Sequence, residues 1–354
     1  MKEEIEIFVP GRLCLFGEHS DWAGGHRRQN SEIEKGYVIV CQTNQGIYAR
    51  AKKREDGRLK IKSTLDDGIL DFEIDMRADK LKSEAERGGL FSYVAGVGYY
   101  VLEQFDNGHI GGIEINNYKT DLPVKKGLSS SASICVLNAR AFNRIYGLKL
   151  STRGEMDIAY KGEVLTPSRC GRMDQACAFS NPVLMSFDGD FVDVEELKVG
   201  KEMNFIVVDL KGQKDTKKIL HELNKSYPFA QSEEDRRVQR YLGEINKGIV
   251  CSATGAIEQG DIEEVGKLMR FAQKKFDECL MERCSELKAL KLHKVLEYEK
   301  IQELVYGGKG VGSQGDGCAQ LLCRGIEERA RAAGILEREL GVKCYELDVR
   351  KNVM

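Results

Sequence analysis

Glu163 and Asp174 stand eleven residues apart, with Arg169 and Arg172 between them. Two carboxylates beside arginines can divide labour, one holding a divalent cation while the other accepts or orients a proton. As surface ion pairs the same residues would do no chemistry. A sharper signal lies upstream, where Pro123, Val124, Lys125 and Lys126 lead into Gly127-Leu128-Ser129-Ser130-Ser131-Ala132-Ser133 and a helical pattern ending at Tyr146. Glycine and serines ahead of a helix gather backbone amides, hydroxyls and the positive end of the helix dipole around one point, which suits a phosphate. Nucleotide binding is implied. A serine N-cap accounts for one serine, not for three behind a glycine. The loop is not a Walker A sequence, and no Gly-x-Gly-x-x-Gly dinucleotide signature follows a strand there.

Two further clusters carry polar or backbone chemistry. Pro10 to Gly25 reads PGRLCLFGEHSDWAGG and packs Arg12, Glu18, His19 and Asp21 into ten positions between glycines. Glycines let the backbone bend tightly or approach a ligand, and the polar groups can hydrogen-bond several hydroxyls at once, so a polyol is the natural guest. A capped turn with a solvated charge cluster is the alternative. From Gly307 to Gly317 six glycines fall in eleven residues ahead of a strand, which marks backbone that bends sharply or lies against a ligand. A flexible hairpin would look the same.

The elements that must position these residues follow from periodicity. Ile5 to Val9, Gly36 to Val40, Ile47 to Ala51, Leu59 to Ser63, Leu70 to Ile74 and Ile113 to Asn117 read as strands. Leu81 to Phe105 and Ser130 to Tyr146 read as helices. A charged connection after the Asp188-Gly189-Asp190 turn leads to a strand over Phe205 to Leu210, and Asp215 to Leu304 is mostly helical. Cys318 to Cys323, Ile326 to Leu340 and Val342 to Leu347 close the chain as strand, helix, strand. The 354 residues, 42% hydrophobic and 31% charged, suit two globular domains. The boundary is expected near residues 188–203, giving an N-terminal domain over 1–190 and a C-terminal domain over 200–354.

Composition narrows the function classes. The net charge is −2, with no long block of one sign, so nothing favours nucleic acid or an anionic membrane as partner. The longest weakly polar stretch, Gly89 to Leu102, is too short to span a bilayer, and acidic residues follow Met1 where a signal peptide needs a basic patch. A cytoplasmic location is expected. The eleven cysteines are odd in number, scattered and never arranged as Cys-x-x-Cys, which reads as buried apolar residues and plain thiols rather than a disulfide framework or a zinc site.

Taken in order, the clusters resemble the three signature motifs and catalytic aspartate of the GHMP kinases, nearest to galactokinase-like sugar kinases. The galactokinase signature has Gly-Arg, then Gly-Glu-His-Thr-Asp-Tyr and a glycine pair; Ser20 and Trp22 stand in for threonine and tyrosine, and Cys14 for a usual asparagine. The third motif, Gly-Ser-Gln-Gly-Asp-Gly, departs from the family's Gly-Ala-Gly-x-Gly-Gly. The resemblance implies an α+β, two-domain GHMP kinase fold, with a ribosomal protein S5 domain 2-like N-terminal domain and a ferredoxin-like C-terminal domain. It implies ATP and Mg²⁺ as cofactors, the phosphates lying against Lys126, Gly127, Leu128, Ser129, Ser130, Ser131, Ala132 and Ser133, and the metal at Ser131 and Glu163. Asp174, in Gly171-Arg172-Met173-Asp174-Gln175, resembles the catalytic base, and Arg12 the basic residue that steadies the alkoxide or the transferring phosphoryl. Glu18, His19, Asp21, Gly171 and Arg172 are implied to contact the sugar. The expected product is a sugar 1-phosphate. Other acceptors remain open: a uronic acid or phosphorylated sugar read by Arg169 and Arg172, or a mevalonate-type acid. So does a catalytically silent sugar and ATP sensor of the same fold.

Overall fold

The computed structural model describes residues 4–65, 68–105, 109–122, 128–168 and 170–351. Along the chain the strands are β1 (Ile5–Phe16), β2 (Gly36–Arg54), β3 (Arg58–Leu65), β4 (Gly68–Asp75), β5 (Gly112–Thr120), β6 (Val183–Asp188), β7 (Phe191–Glu196), β8 (Met203–Asp209), β9 (Val305–Gly310), β10 (Cys318–Cys323) and β11 (Lys343–Val349). The helices are α1 (Ser20–Gly25), α2 (Ala78–Arg87), α3 (Leu90–Phe105), α4 (Ser130–Tyr146), α5 (Thr152–Val164), α6 (Thr216–Asn224), α7 (Glu233–Arg240), α8 (Asn246–Gln259), α9 (Ile262–Leu280), α10 (Leu290–Leu296) and α11 (Ile326–Leu340). The chain packs into two compact units, one of residues 1–12 and 42–180, the other of 13–41 and 181–354. This division differs from a single cut between residues 190 and 200. Residues 13–41 fall with the second unit because Ala23 and Ile33 are buried in one apolar cluster with Ile219, Leu223, Val238 and Phe276.

In the first unit β3 pairs antiparallel with β4 and parallel with β5, and β5 pairs antiparallel with the Ile47–Arg54 half of β2. A parallel pair needs a crossover between its strands, and α2 and α3 provide it. The expected helix over Leu81 to Phe105 is two helices, because Gly88 and Gly89 both adopt positive φ (85° and 97°) and stop α2. Helices α3, α4 and α5 pack on one another. At their crossing a Cβ on Gly96 would lie 2.2 Å from the Gly162 carbonyl oxygen, so only glycine lets α3 approach the end of α5 that carries Glu163.

In the second unit β8, β9, β10 and β11 form a four-stranded sheet in the order β11-β8-β10-β9, with each neighbouring pair antiparallel. With helices α6 to α10 between β8 and β9, and α11 between β10 and β11, this is the ferredoxin-like β-α-β-β-α-β arrangement. Its core joins Ile206, Val208, Leu321, Ala332 and Leu336. Strand β6 pairs with β7 and with the Gly36–Val40 half of β2. The segment read as a charged connection is therefore β7, and the glycine cluster begins as strand β9. All eleven cysteines are free thiols, and seven are buried. Among the described residues no helix is long and apolar enough to cross a membrane.

Candidate active site

In the first unit, strand β1 delivers Arg12 to the serine-rich turn. The Arg12 backbone N–H donates to the Leu128 carbonyl (3.1 Å), and the Ser133 hydroxyl lies 2.8 Å from the Pro10 carbonyl and 3.1 Å from that of Ser129. Gly11 has to be glycine here, since a Cβ would meet the Leu128 carbonyl at 2.9 Å and Leu122 at 2.4 Å. So anchored, the Arg12 guanidinium reaches Asp174 from 162 positions away, donating to Oδ1 from Nε at 3.1 Å and again from Nη2. The Arg12 side chain is 6% exposed and that of Asp174 is 17% exposed. Both bonds fall on one carboxylate oxygen. Among the described residues no hydrogen bond reaches Oδ2.

Glu163 ends α5 in a different environment. It is fully buried, its Oε2 accepts a 2.8 Å bond from Gln175 Nε2, and Oε1 has no hydrogen-bond partner among the described residues. Burial first, and the Asp174 charge second, push its carboxyl up to about 7; Ser131, Gln175 and Cys170 hold part of that rise down. Among the described residues no three His, Cys, Asp or Glu side chains gather to hold a metal by themselves. Mg²⁺ does not ask for that, because it takes one or two protein oxygens and completes its shell with phosphates and water. A buried carboxylate with an orphaned oxygen, facing the Ser131 hydroxyl, fits such a half-shell.

The serine turn itself is strained at one point: Ser129, the residue before α4, sits in the left-handed region at φ 54° and makes no side-chain cap. Ser130 and Ser131 are half-buried, whereas Leu128, Ala132 and Ser133 are buried. The Ser133 hydroxyl is spent on backbone carbonyls, so it positions the turn; what Leu128, Ala132 and Ser133 present to a phosphate is backbone. Lys126 and Gly127 lie outside the described residues, as does Arg169. Gly171 accepts a bond from the Asp174 N–H (3.4 Å), and the Arg172 guanidinium lies 5.2 Å above the Tyr160 ring.

The second unit holds the other motif residues. Glu18 is buried and ion-paired with Lys309, itself 1% exposed, from the glycine-rich segment. Ser20 donates to the Leu242 carbonyl (2.9 Å) and accepts from Asn246 (2.9 Å), which seats α1 against the helices beyond. His19 is buried and left-handed (φ 69°), and its Nδ1 accepts the Trp22 indole N–H at 3.1 Å. Its proton therefore sits on Nε2, which has no hydrogen-bond partner among the described residues. Burial, helped by Lys214 and Lys309, lowers its pKa to about 4, against a smaller opposing pull from the Ser313 backbone, so the ring is neutral. Asp21 is buried as well. Cys14 fills a fully buried position, its thiol donating to the Phe16 carbonyl (3.2 Å).

One feature of the first unit escapes the motifs. A small cavity is walled by Ile61, Phe91, Val94, Ile134 and Leu137, with Ser63, Asn117 and Asn138 as its polar members. Its one trace in the sequence is Asn138, a polar residue within the apolar run of α4.

The family described as GHMP kinases N terminal domain matches residues 92–181. A galactokinase of Thermococcus kodakarensis is 27% identical over 353 residues, covering 92% of this chain and 93% of the relative. The fold is that of Lactococcus lactis galactokinase, solved in complex with galactose (TM-score 0.74, 19% identity, 99% of this chain and 94% of that one). It is equally that of Methanococcus jannaschii mevalonate kinase (TM-score 0.73, 17% identity, 99% of each chain). Residues 92–181 are similar in sequence to a GHMP kinase N-terminal domain, and the chain has the GHMP kinase fold. In sequence it is similar to galactokinases; in fold it is similar to galactokinases and mevalonate kinases alike.

Proposed function

We propose that the protein transfers the γ-phosphoryl group of ATP to a sugar hydroxyl, the anomeric one, giving a sugar 1-phosphate. The observation that carries this is the pair of unlike carboxylates in the first unit: Asp174, fixed by Arg12 through one oxygen, and Glu163, buried with one oxygen unpartnered. Asp174 Oδ2 accepts or orients the proton of the attacking hydroxyl. Arg12 holds that carboxylate in place and offsets negative charge as the oxygen attacks. Ser131 and Glu163 would hold Mg²⁺, which when bound neutralises phosphate charge. The turn from Leu128 to Ser133 cradles the phosphates with backbone amides. Positioning and charge neutralisation supply most of the acceleration in such a transfer. Glu18, His19, Asp21, Gly171 and Arg172 are the sugar contacts in this reading, His19 as a neutral donor through Nε2.

The experiment is ADP release over a panel of free, acidic and phosphorylated sugars and mevalonate, with NMR of the product. Asp174→Asn is expected to lower kcat by roughly 10²- to 10⁴-fold, the usual share of a positioned base, with nucleotide affinity within about twofold of wild type. Near-normal turnover in that variant rules out Asp174 as the base. Tight sugar binding with no turnover of any acceptor identifies a sensor instead.

A further inference from the structure

Gln175 follows Asp174 in the chain and is fully buried. The nitrogen end of its amide is occupied: Nε2 donates to Glu163 Oε2 at 2.8 Å and to the Cys170 sulfur at 3.4 Å. Turned over, the amide would set its carbonyl oxygen against the ionised Glu163 carboxylate, so its orientation is fixed. The oxygen end is left over. Gln175 Oε1 is a buried acceptor with no hydrogen-bond partner among the described residues, and Glu163 Oε1 is in the same condition. Each of these oxygens is bonded to the same carbon as an atom of the 2.8 Å bond, so the two lie within about 7 Å of each other.

Buried acceptors that meet no donor cost free energy, and a native chain keeps two of them together where a bound species completes both. An amide held only for packing would have both ends satisfied. A bare cation satisfies the carboxylate oxygen alone, whereas a cation that carries water satisfies both, because a metal-bound water is a strong donor. Mg²⁺ is such a cation, since it dehydrates reluctantly and keeps several waters. We infer that Gln175 is a positioning residue for the metal: its amide nitrogen holds Glu163 by Oε2 so that Oε1 is presented to the cation, and its own Oε1 accepts a hydrogen bond from a water the cation carries. This rests on the reading that Glu163 holds Mg²⁺.

The test is calorimetric binding of the ATP analogue AMPPNP to the full chain, once with Mg²⁺ and once with EDTA in its place. Wild type is expected to bind more than tenfold more tightly with Mg²⁺, and Glu163→Gln to lose most of that gain. Gln175→Met keeps the side-chain length and removes the amide. It should lose roughly tenfold in the Mg²⁺-dependent gain, the usual cost of removing an outer partner of a metal site, while its affinity in EDTA stays within about twofold of wild type. Gln175→Asn, which draws the amide back by one methylene, is expected to do the same should the methionine variant misfold. Equal losses with and without Mg²⁺ would show a packing role, and an unchanged gain would show that an ordered water alone meets the two oxygens. Either result overturns the role of Gln175, while Glu163 keeps its place if Glu163→Gln loses the gain. A wild type with no Mg²⁺ gain, or a Glu163→Gln variant that retains it, removes the metal reading of Glu163 and this inference with it.

Discussion

His19 offers the most quantitative check on the buried polar cluster of the second unit. Its imidazole is neutral because burial and the nearby Lys214 and Lys309 charges lower its pKa from 6.5 to about 4. A group whose pKa is depressed on folding contributes stability that is present above its unfolded value and lost as pH falls. Between pH 6.5 and 4 the unfolded chain binds a proton there and the folded chain does not. At pH 5 the unfolded histidine is almost wholly protonated and the folded one hardly at all, so the difference of about 1.5 pH units costs about 2 kcal/mol relative to neutral pH. His19→Asn removes the titration and keeps a residue that tolerates the left-handed backbone at φ 69°. The variant starts less stable, having lost the bond to Trp22, but its stability should fall about 2 kcal/mol less than that of wild type between pH 7 and pH 5. Urea unfolding at both pH values, followed by Trp22 fluorescence, measures this, since Trp22 is the chain's single tryptophan and packs beside His19. Parallel losses in the two proteins would show that His19 titrates normally and is not desolvated as described.

Two further outcomes follow from the buried charges. Lys309→Met leaves Glu18 without its ion-pair partner in a site that is 3% exposed, and should destabilise the protein by about 3–5 kcal/mol in denaturant unfolding. The double variant Glu18→Gln, Lys309→Met should recover most of that loss, and a double variant as unstable as the single one would mean that the lysine acts through packing alone. Glu163→Gln should make the metal-free protein more stable than wild type at pH 8, by up to about 3 kcal/mol, because the raised carboxyl pKa of about 7 makes the ionised form costly above it. The same variant should lose turnover by roughly a hundredfold or more, and unchanged Mg²⁺ dependence would remove Glu163 from the metal site.

What was legible in the sequence was local. Helix α4 begins and ends at the residues that periodicity picks out, Ser130 and Tyr146, because Gly147 in the left-handed region stops it. Tertiary approach overrode the turn signals elsewhere. Gly46 looks like a break between two strands, yet β2 runs through it: a Cβ there would lie 2.4 Å from the Val9 carbonyl, so that glycine serves close strand contact rather than a bend. Strand β7 was hidden by Asp193, Glu195 and Glu196, whose charges suit a strand with a largely exposed pattern as well as they suit a loop. Pairings over long separations left no trace at all. Lys309 reads as one residue of a glycine cluster, and only the fold puts it against Glu18, 291 positions away.

The same limit hides how differently the two carboxylates are housed. Their spacing of eleven residues says only that they could share a site. Their environments separate them. Asp174 keeps its charge balanced by Arg12 and one oxygen open, which suits a group that must meet a neutral hydroxyl and orient its proton. Glu163 is desolvated, which with the Asp174 charge raises its carboxyl to about 7, and a nearby cation would favour the ionised form. On the proposed reading, Mg²⁺ binding at Glu163 would release a proton from the site.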